Sequence, residues 1–229
     1  MYFKVSKKEF YNALSVASRA ISTFSPLPAF SGIKIDAKED CLILTGSDSD
    51  VSIQTKLTKS EECVLEIRDM GSIVIEAKYI LEIVRKIDAD EIEFEMIDGS
   101  LTKISGNTAE FRINGMRANE YPAIDFSKPK ECFALKEETL KKVILQTSFA
   151  TSDKETRPVL TGVNFHCEGN TLHCVATDSY RLAKKTIDIS ESLNFNITIP
   201  AKSLSEVVKT LEGEGEVEIA VNDKTAQFI

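Results

Sequence analysis

Apolar residues along the chain recur with two alternating periods, and each period marks a different kind of element. Phe10, Ala13, Leu14, Ala17 and Ile21 follow helical spacing, which predicts an amphipathic helix over 7–21. Ser6-Lys7-Lys8-Glu9 opens it with capping-box spacing, Ser6 placed to cap the third amide and Glu9 to reach back. The same pattern predicts helices over 77–87, 136–149 and 201–211, with Leu140, Val143, Ile144 and Thr147 inward in the third of the four. Between the helices the period drops to two, which predicts strands at 33–37, 42–44, 51–53, 64–66, 91–95 and 109–113. Lys38-Glu39-Asp40 and Gly46-Ser47-Asp48 mark turns, and acidic residues on the later strands face outward, as a sheet with one wet face requires.

This pattern occurs twice. Phe3 and Val5 return as Phe133 and Leu135, and Phe10 and Leu14 as Leu140 and Ile144. Gly32-Ile33-Lys34-Ile35 returns as Gly162-Val163-Asn164-Phe165, and Ser47-Asp48-Ser49 as Thr177-Asp178-Ser179, always 130 positions on. Later the offset is 124, so that Ala77-Lys78-Tyr79-Ile80 answers Ala201-Lys202-Ser203-Leu204. Two copies of one module therefore fill the chain, over 1–122 and 131–229, with a linker across 118–130 that carries Pro122 and Pro129. The second copy matches the first only as far as 98–104 against 223–229, so it is expected to be C-terminally incomplete and the chain to be a truncated fragment. The order strand, helix, strands, helix, strands predicts an α+β class, with two helices per module packed on one side of antiparallel sheet.

With 42% hydrophobic and 28% charged residues the composition is that of a soluble globular chain, and no apolar run approaches the roughly 18 residues that span a bilayer. Met1-Tyr2-Phe3-Lys4-Val5 already alternates like a strand and lacks a secretory pattern, so a cytoplasmic protein with no membrane partner is expected. Cys41, Cys63, Cys132, Cys167 and Cys174 are odd in number and scattered, which predicts buried reduced thiols rather than a disulfide framework. His166-Cys167 and His173-Cys174 flank Gly169-Asn170. A two-residue turn there sets His166 opposite His173 and sends the cysteines to the other face, so four ligands do not converge and no metal is expected. No phosphate loop, nucleophile elbow or dinucleotide fingerprint is present, and clustered acids such as Asp48-Ser49-Asp50 read as turn devices. No catalytic residue and no cofactor is expected.

The net charge of −8 argues against a polyanionic partner, but its distribution argues the other way. The four predicted helices hold eleven cations against five carboxylates, which leaves −14 for everything else. Solvated helix faces rich in Lys and Arg account for this blandly; a basic helical surface for duplex, bound without regard to sequence, accounts for it more sharply. The copies differ most after the shared acidic residue, where Asp50-Val51-Ser52 becomes Tyr180-Arg181-Leu182, a composition suited to anchoring a partner.

Thr151-Ser152-Asp153-Lys154-Glu155-Thr156-Arg157-Pro158-Val159-Leu160-Thr161-Gly162-Val163 and Val175-Ala176-Thr177-Asp178-Ser179-Tyr180-Arg181-Leu182-Ala183 closely resemble the bacterial sliding-clamp family, the beta subunits of DNA polymerase III. Asn119-Glu120-Tyr121-Pro122 resembles that family's exit from its first domain. The resemblance covers the whole chain. It implies the DNA-clamp fold, a head-to-tail homodimer of three-domain chains with helices lining a ring, and a third clamp domain absent from this chain. It implies a non-catalytic processivity factor that encircles duplex DNA. Its partners would be the replicative polymerase alpha subunit, the clamp loader and repair polymerases, held through short hydrophobic peptides.

Carried over, the peptide groove includes Leu160, Thr177, Ser179, Tyr180, Arg181 and Leu182, with the remainder from sequence beyond residue 229. Family members often carry Gly-His where Ser179-Tyr180 stands. Lys78, Lys154 and Lys202 match or neighbour DNA-facing positions, and Arg19 joins them from charge alone; the loop 22–26 has no basic residue where some relatives contact DNA. Phe111 and Ile113 fall on the strand that implies the subunit interface. Two other classes stand beside this one: a two-module protein that grips duplex without encirclement, and a metal-dependent nuclease or transferase. A two-module chain closing as a trimer of six modules is also left open.

Overall fold

The computed structural model describes residues 1–22 and 27–229, so part of the loop 22–26 lies outside the described residues. The chain divides into two compact units, Met1–Ile124 and Asp125–Ile229. In the first, β1 (Tyr2–Ser6) and α1 (Lys7–Ser18) are followed by β2 (Gly32–Ala37), β3 (Cys41–Ser47), β4 (Ser52–Thr58), β5 (Leu65–Asp69) and β6 (Gly71–Glu76). Then come α2 (Ala77–Lys86), β7 (Glu91–Asp98), β8 (Leu101–Gly106), β9 (Ala109–Asn114) and β10 (Met116–Arg117). The strands form two antiparallel sheets, β5-β1-β7-β8-β9 and β10-β6-β2-β3-β4. The second unit holds β11 (Glu131–Lys136), α3 (Glu137–Thr147), β12 (Gly162–Thr177), β13 (Leu182–Pro200), α4 (Ala201–Thr210), β14 (Glu216–Val221) and β15 (Ala226–Phe228).

The second unit repeats the pairings of the first. Gly162 pairs with Pro200 as Gly32 pairs with Glu76, and Thr177 pairs with Leu182 as Ser47 pairs with Ser52. The imidazole centroids of His166 and His173 lie 6.4 Å apart. Seven residues of straight strand would span about 23 Å, so β12 folds over at Gly169, whose φ of +63° belongs to the left-handed region. The predicted facing of the two histidines follows from that fold-over.

Each unit has its own core, built from the predicted faces. In the first, the Phe3 ring stacks on Phe94 at 4.7 Å and meets Phe10 edge-on at 5.7 Å, with Leu14, Ile33, Ile35, Ile80 and Val84 around them. In the second, Phe133 stacks on Phe195 at 5.7 Å among Leu140, Ile144, Phe165 and Leu204.

Several local expectations are corrected. Ser6 does not cap α1; its hydroxyl accepts the Val64 amide at 2.8 Å, which ties the helix start to the segment entering β5. α1 ends at Ser18 rather than 21, and α3 ends at Thr147, followed by a single 3-10 turn, Ser148–Ala150. Gly46 and Ser47 belong to β3, and the turn begins at Asp48. A Cβ on Gly46 would stand 2.1 Å from the Ala17 carbonyl, so glycine lets α1 lie against this strand. Four of the cysteines are buried as expected, whereas Cys132 is only half-buried. Burial pushes the Cys174 thiol up to about 12.

β6 was not foreseen as a strand, because Ile73, Val74 and Ile75 are all buried and show no alternation. Its outward residue, Val74, lies beneath an edge-on pair of Phe30 and Tyr121, ring centroids 5.3 Å apart. Tyr121, expected within the first module at its exit and also in the stretch that begins the linker, is a packed part of the first unit.

Candidate functional site

The first candidate surface is the set of helix-borne cations. Within their observed bounds the four helices hold nine cations and five carboxylates; Arg19 and Lys136 cap the ends of α1 and α3. Most of these cations take part in loose surface pairs, including Arg85 with Glu82 at 2.8 Å, Lys142 with Glu138 at 2.6 Å and Lys209 with Glu206 at 2.6 Å. Exposed pairs of this kind are worth about 0–1 kcal/mol, so they hold these cations only weakly. Lys202 is 94% exposed and 4.0 Å from Glu155, and Lys78 leans over its neighbour Tyr79 with the ammonium 5.9 Å from the ring centroid. Lys154 and Arg19 are exposed. Lys7 is different: its ammonium donates to the Ile87 carbonyl at the end of α2 and is committed to the fold.

The second candidate is the turn between β12 and β13. Asp178 Oδ1 accepts the amides of Tyr180 and Arg181, each at 3.0 Å, and its Oδ2 accepts Arg181 Nε at 2.9 Å. The Thr177 hydroxyl accepts the Ser179 amide and donates to the Arg181 carbonyl at 2.6 Å. Ser179 sits at φ +77°, and its counterpart Ser49 at +86° lies in the same arrangement, Asp48 Oδ1 accepting the amides of Asp50 and Val51. The shared aspartate is therefore a turn device, as expected. What it presents differs: Tyr180 is 97% exposed and Leu182 66%. The Arg181 guanidinium lies 5.7 Å from the Phe149 ring centroid, and Arg157 Nη1 donates to Ser179 Oγ at 3.5 Å. Leu160, half-buried on a 3-10 turn at Pro158–Thr161, accepts the Ser152 amide.

Sequence reading missed Phe149 and Arg157 as members of this cluster. The available signal was that Leu145 and Phe149, four residues apart, are large apolar residues outside the inward set Leu140, Val143, Ile144 and Thr147.

The amides of Tyr180 and Arg181, followed by Arg181's charge, hold the Asp178 carboxyl below the usual carboxylate range. A folded pKa below the unfolded value gives stabilisation that is complete above the unfolded value, about 3.9, and is lost as pH falls through the lowered one. In an NMR acid titration the Tyr180 and Arg181 amide signals are expected to move together below about pH 4. A shared midpoint above that value would contradict the assignment.

The third candidate is the edge of β9, the last strand of its sheet, which among the described residues pairs only with β8. Phe111 is 37% exposed there. Ile113 lines a cleft of about 390 Å³ with Tyr79, Glu82, Ile83, Arg112 and Asn114. Among the described residues no cluster of three or more potential metal ligands occurs, and no helix is long and apolar enough to cross a membrane.

Comparison with known proteins adds the following. Residues 1–125 match the model of the N-terminal domain of the DNA polymerase III beta subunit, and residues 134–229 match that of its central domain. A beta sliding clamp from Halalkalibacterium halodurans is 40% identical over 235 residues, covering 100% of this chain and 62% of the relative. The crystal structure of the DNA polymerase sliding clamp from Bacillus subtilis superposes with a TM-score of 0.97 at 36% identity, covering 100% of this chain and 62% of that one. The DNA polymerase III beta chain from Streptococcus pneumoniae gives 0.95 at 31% identity, again with 62% of its length covered.

Proposed function

This chain belongs to the DNA polymerase III beta subunit family, and from that premise we propose that the full-length protein is a sliding clamp. As a ring-shaped homodimer in the cytoplasm it encircles duplex DNA and tethers the replicative polymerase. It has no catalytic role of its own. The chain spans 62% of the length of the Halalkalibacterium halodurans and Bacillus subtilis clamps. In this reading a third clamp domain completes each half of the ring.

The observation that carries this reading is the segregation of cations onto helices in a chain whose net charge is −8. A ring needs only weak, sequence-independent contacts with phosphates, since topology rather than affinity retains the DNA, and strong contacts would hinder sliding. Arg19, Lys78, Lys154 and Lys202 supply such contacts. Tethering then works through effective concentration: a polymerase held by a short peptide on a ring stays near the primer end after each dissociation. The peptide seat is the turn at Thr177–Leu182 with Leu160, where Tyr180, Arg181 and Leu182 offer exposed aromatic, cationic and aliphatic contacts around a backbone fixed by Asp178. The clamp loader and repair polymerases use the same seat. Phe111 and Ile113, on the open edge of β9, form the subunit interface.

Lys78→Glu together with Lys202→Glu tests the DNA surface. In the full-length protein the double variant is expected to weaken equilibrium binding to short duplexes uniformly across sequences. It should flatten the plot of log K against log salt by about 0.9 for each phosphate contact removed. An unchanged slope would remove these lysines from the DNA surface.

A further inference from the structure

The chain has two histidines, and the fold sets them side by side. In the first unit Asp36 of β2 and Ile43 of β3 are a register pair, and at the offset of 130 their counterparts are His166 and His173. The first arm of β12 pairs with 193–200 of β13 and the second arm with 182–188, so Asn196, His166, His173 and Thr186 form one row across the sheet. Side chains alternate along a strand, which sends Cys167 and Cys174 into the core and leaves the two half-buried imidazoles on the outward face. Their ring planes are 17° from parallel.

The polar groups around the pair have partners, with one exception. Asn196 Oδ1 accepts Asn164 Nδ2 at 2.7 Å, and the same amide nitrogen donates to Thr198 Oγ1 at 3.1 Å. His173 Nδ1 lies 3.0 Å from Thr186 Oγ1. His166 Nδ1 is buried and has no hydrogen-bond partner, and a buried polar atom left this way carries a desolvation cost that a bound partner would remove. The same place in the first unit is satisfied: Asp36 accepts the Ser72 hydroxyl at 2.5 Å and pairs with Lys34 at 3.3 Å, and Ile43 has no polar side-chain atom.

We propose that His166 and His173 together hold one late first-row divalent metal ion, of the class Zn2+, Ni2+ or Cu2+, on the outward face of the second unit's sheet. The four residues singled out in the sequence do not converge, but these two do; each imidazole supplies one nitrogen and water fills the remaining positions. Imidazole suits these ions, whereas Mg2+ and Ca2+ take oxygen ligands. With its Nδ1–H donated to Thr186, His173 keeps a lone pair on Nε2, so Thr186 sets the tautomer and orients the ring, as outer partners of ligating histidines do. The thiols do not compete. Both lie on the other face, and burial pushes Cys167 up and Cys174 up to about 12, away from the thiolate form that metals bind. The ion ties the two arms of β12 across the turn at Gly169 and stabilises the second unit, because it binds the pair only while the arms are folded together.

The probe is Ni2+, titrated by calorimetry into the full-length protein in a buffer that does not chelate it. His166→Gln and His173→Gln are each expected to lose one bound ion per chain, or to bind it about tenfold more weakly or worse. Cys132→Ser, which removes the half-buried thiol, should leave binding unchanged. Saturating Ni2+ should raise the urea midpoint of the wild type and not that of His173→Gln. One reading needs no variant: in histidine-labelled protein the paramagnetic ion should broaden the ring NMR signals of His166 and His173 with a single shared midpoint. Ni2+ binding unchanged in both histidine variants, loss of binding in Cys132→Ser, or ring signals that respond at separate midpoints or not at all would overturn the inference. Neither DNA nor a peptide takes part, so the outcome is independent of the clamp reading.

Discussion

Phe94→Ala is expected to destabilise the first unit by about 3–5 kcal/mol. Phe94 is fully buried on β7, directly across from Phe3 on β1, with the rings stacked at 4.7 Å and Phe10 of α1 edge-on to Phe3. This cluster joins the first sheet to α1, and truncating Phe94 removes both the transfer free energy of its ring and its stacking contact with Phe3. Collapse around the cavity is limited, because Phe3 is held by β1 pairing on both sides, with β5 and β7. The chain has no tryptophan, so far-UV circular dichroism in urea is the suitable readout. Phe111→Ala, on an open edge, serves as the control and should cost about 1 kcal/mol or less. A loss below about 1 kcal/mol for Phe94→Ala would show that the core has been misassigned.

Leu182→Asp in the full-length protein is expected to lower affinity for polymerase-derived hydrophobic peptides by about 30-fold or more, the scale of a binding hot spot. Leu182 is 66% exposed at the first position of β13, so aspartate there costs the free protein little. In the complex its carboxylate would be desolvated against an apolar side chain, and the adjacent Arg181 is already engaged by Asp178 and stacked beside Phe149. Fluorescence anisotropy with a labelled peptide measures the effect, and unchanged affinity would remove the turn from the peptide seat.

How far the sequence carries the fold is visible in particular elements. The four helices were legible because their inward residues repeat at helical spacing and face one core each; only the ends moved, where the last turn frays into 3-10 geometry at Ser148–Ala150. The duplicated turn was legible because its device is local: one aspartate accepting amides two and three residues on. β6 was not legible, because alternation vanishes when Phe30 and Tyr121 cover the face that would otherwise be wet. Ser6 misled for a related reason: its spacing from Glu9 is local, but the partner it takes, Val64, arrives from 58 residues away.

The proposed peptide seat divides in the same manner. Ser179, Tyr180, Arg181 and Leu182 follow one another in the chain and were read from composition and resemblance. Phe149 and Arg157 reach the turn only through the packing of α3 and the 3-10 turn, which no spacing in the sequence encodes. The cation count, by contrast, survives in form but not in detail. Lys7 is spent on the Ile87 carbonyl, and Arg19 stands at the end of α1 rather than within it.

The most direct test of the central claim is retention on DNA of different topology. The full-length protein is loaded on a nicked circular plasmid, the plasmid is cut once, and the protein still bound is measured by gel filtration. Encirclement predicts stable retention on the circle and loss from the linear form at the same salt concentration; equal retention on both would contradict a clamp.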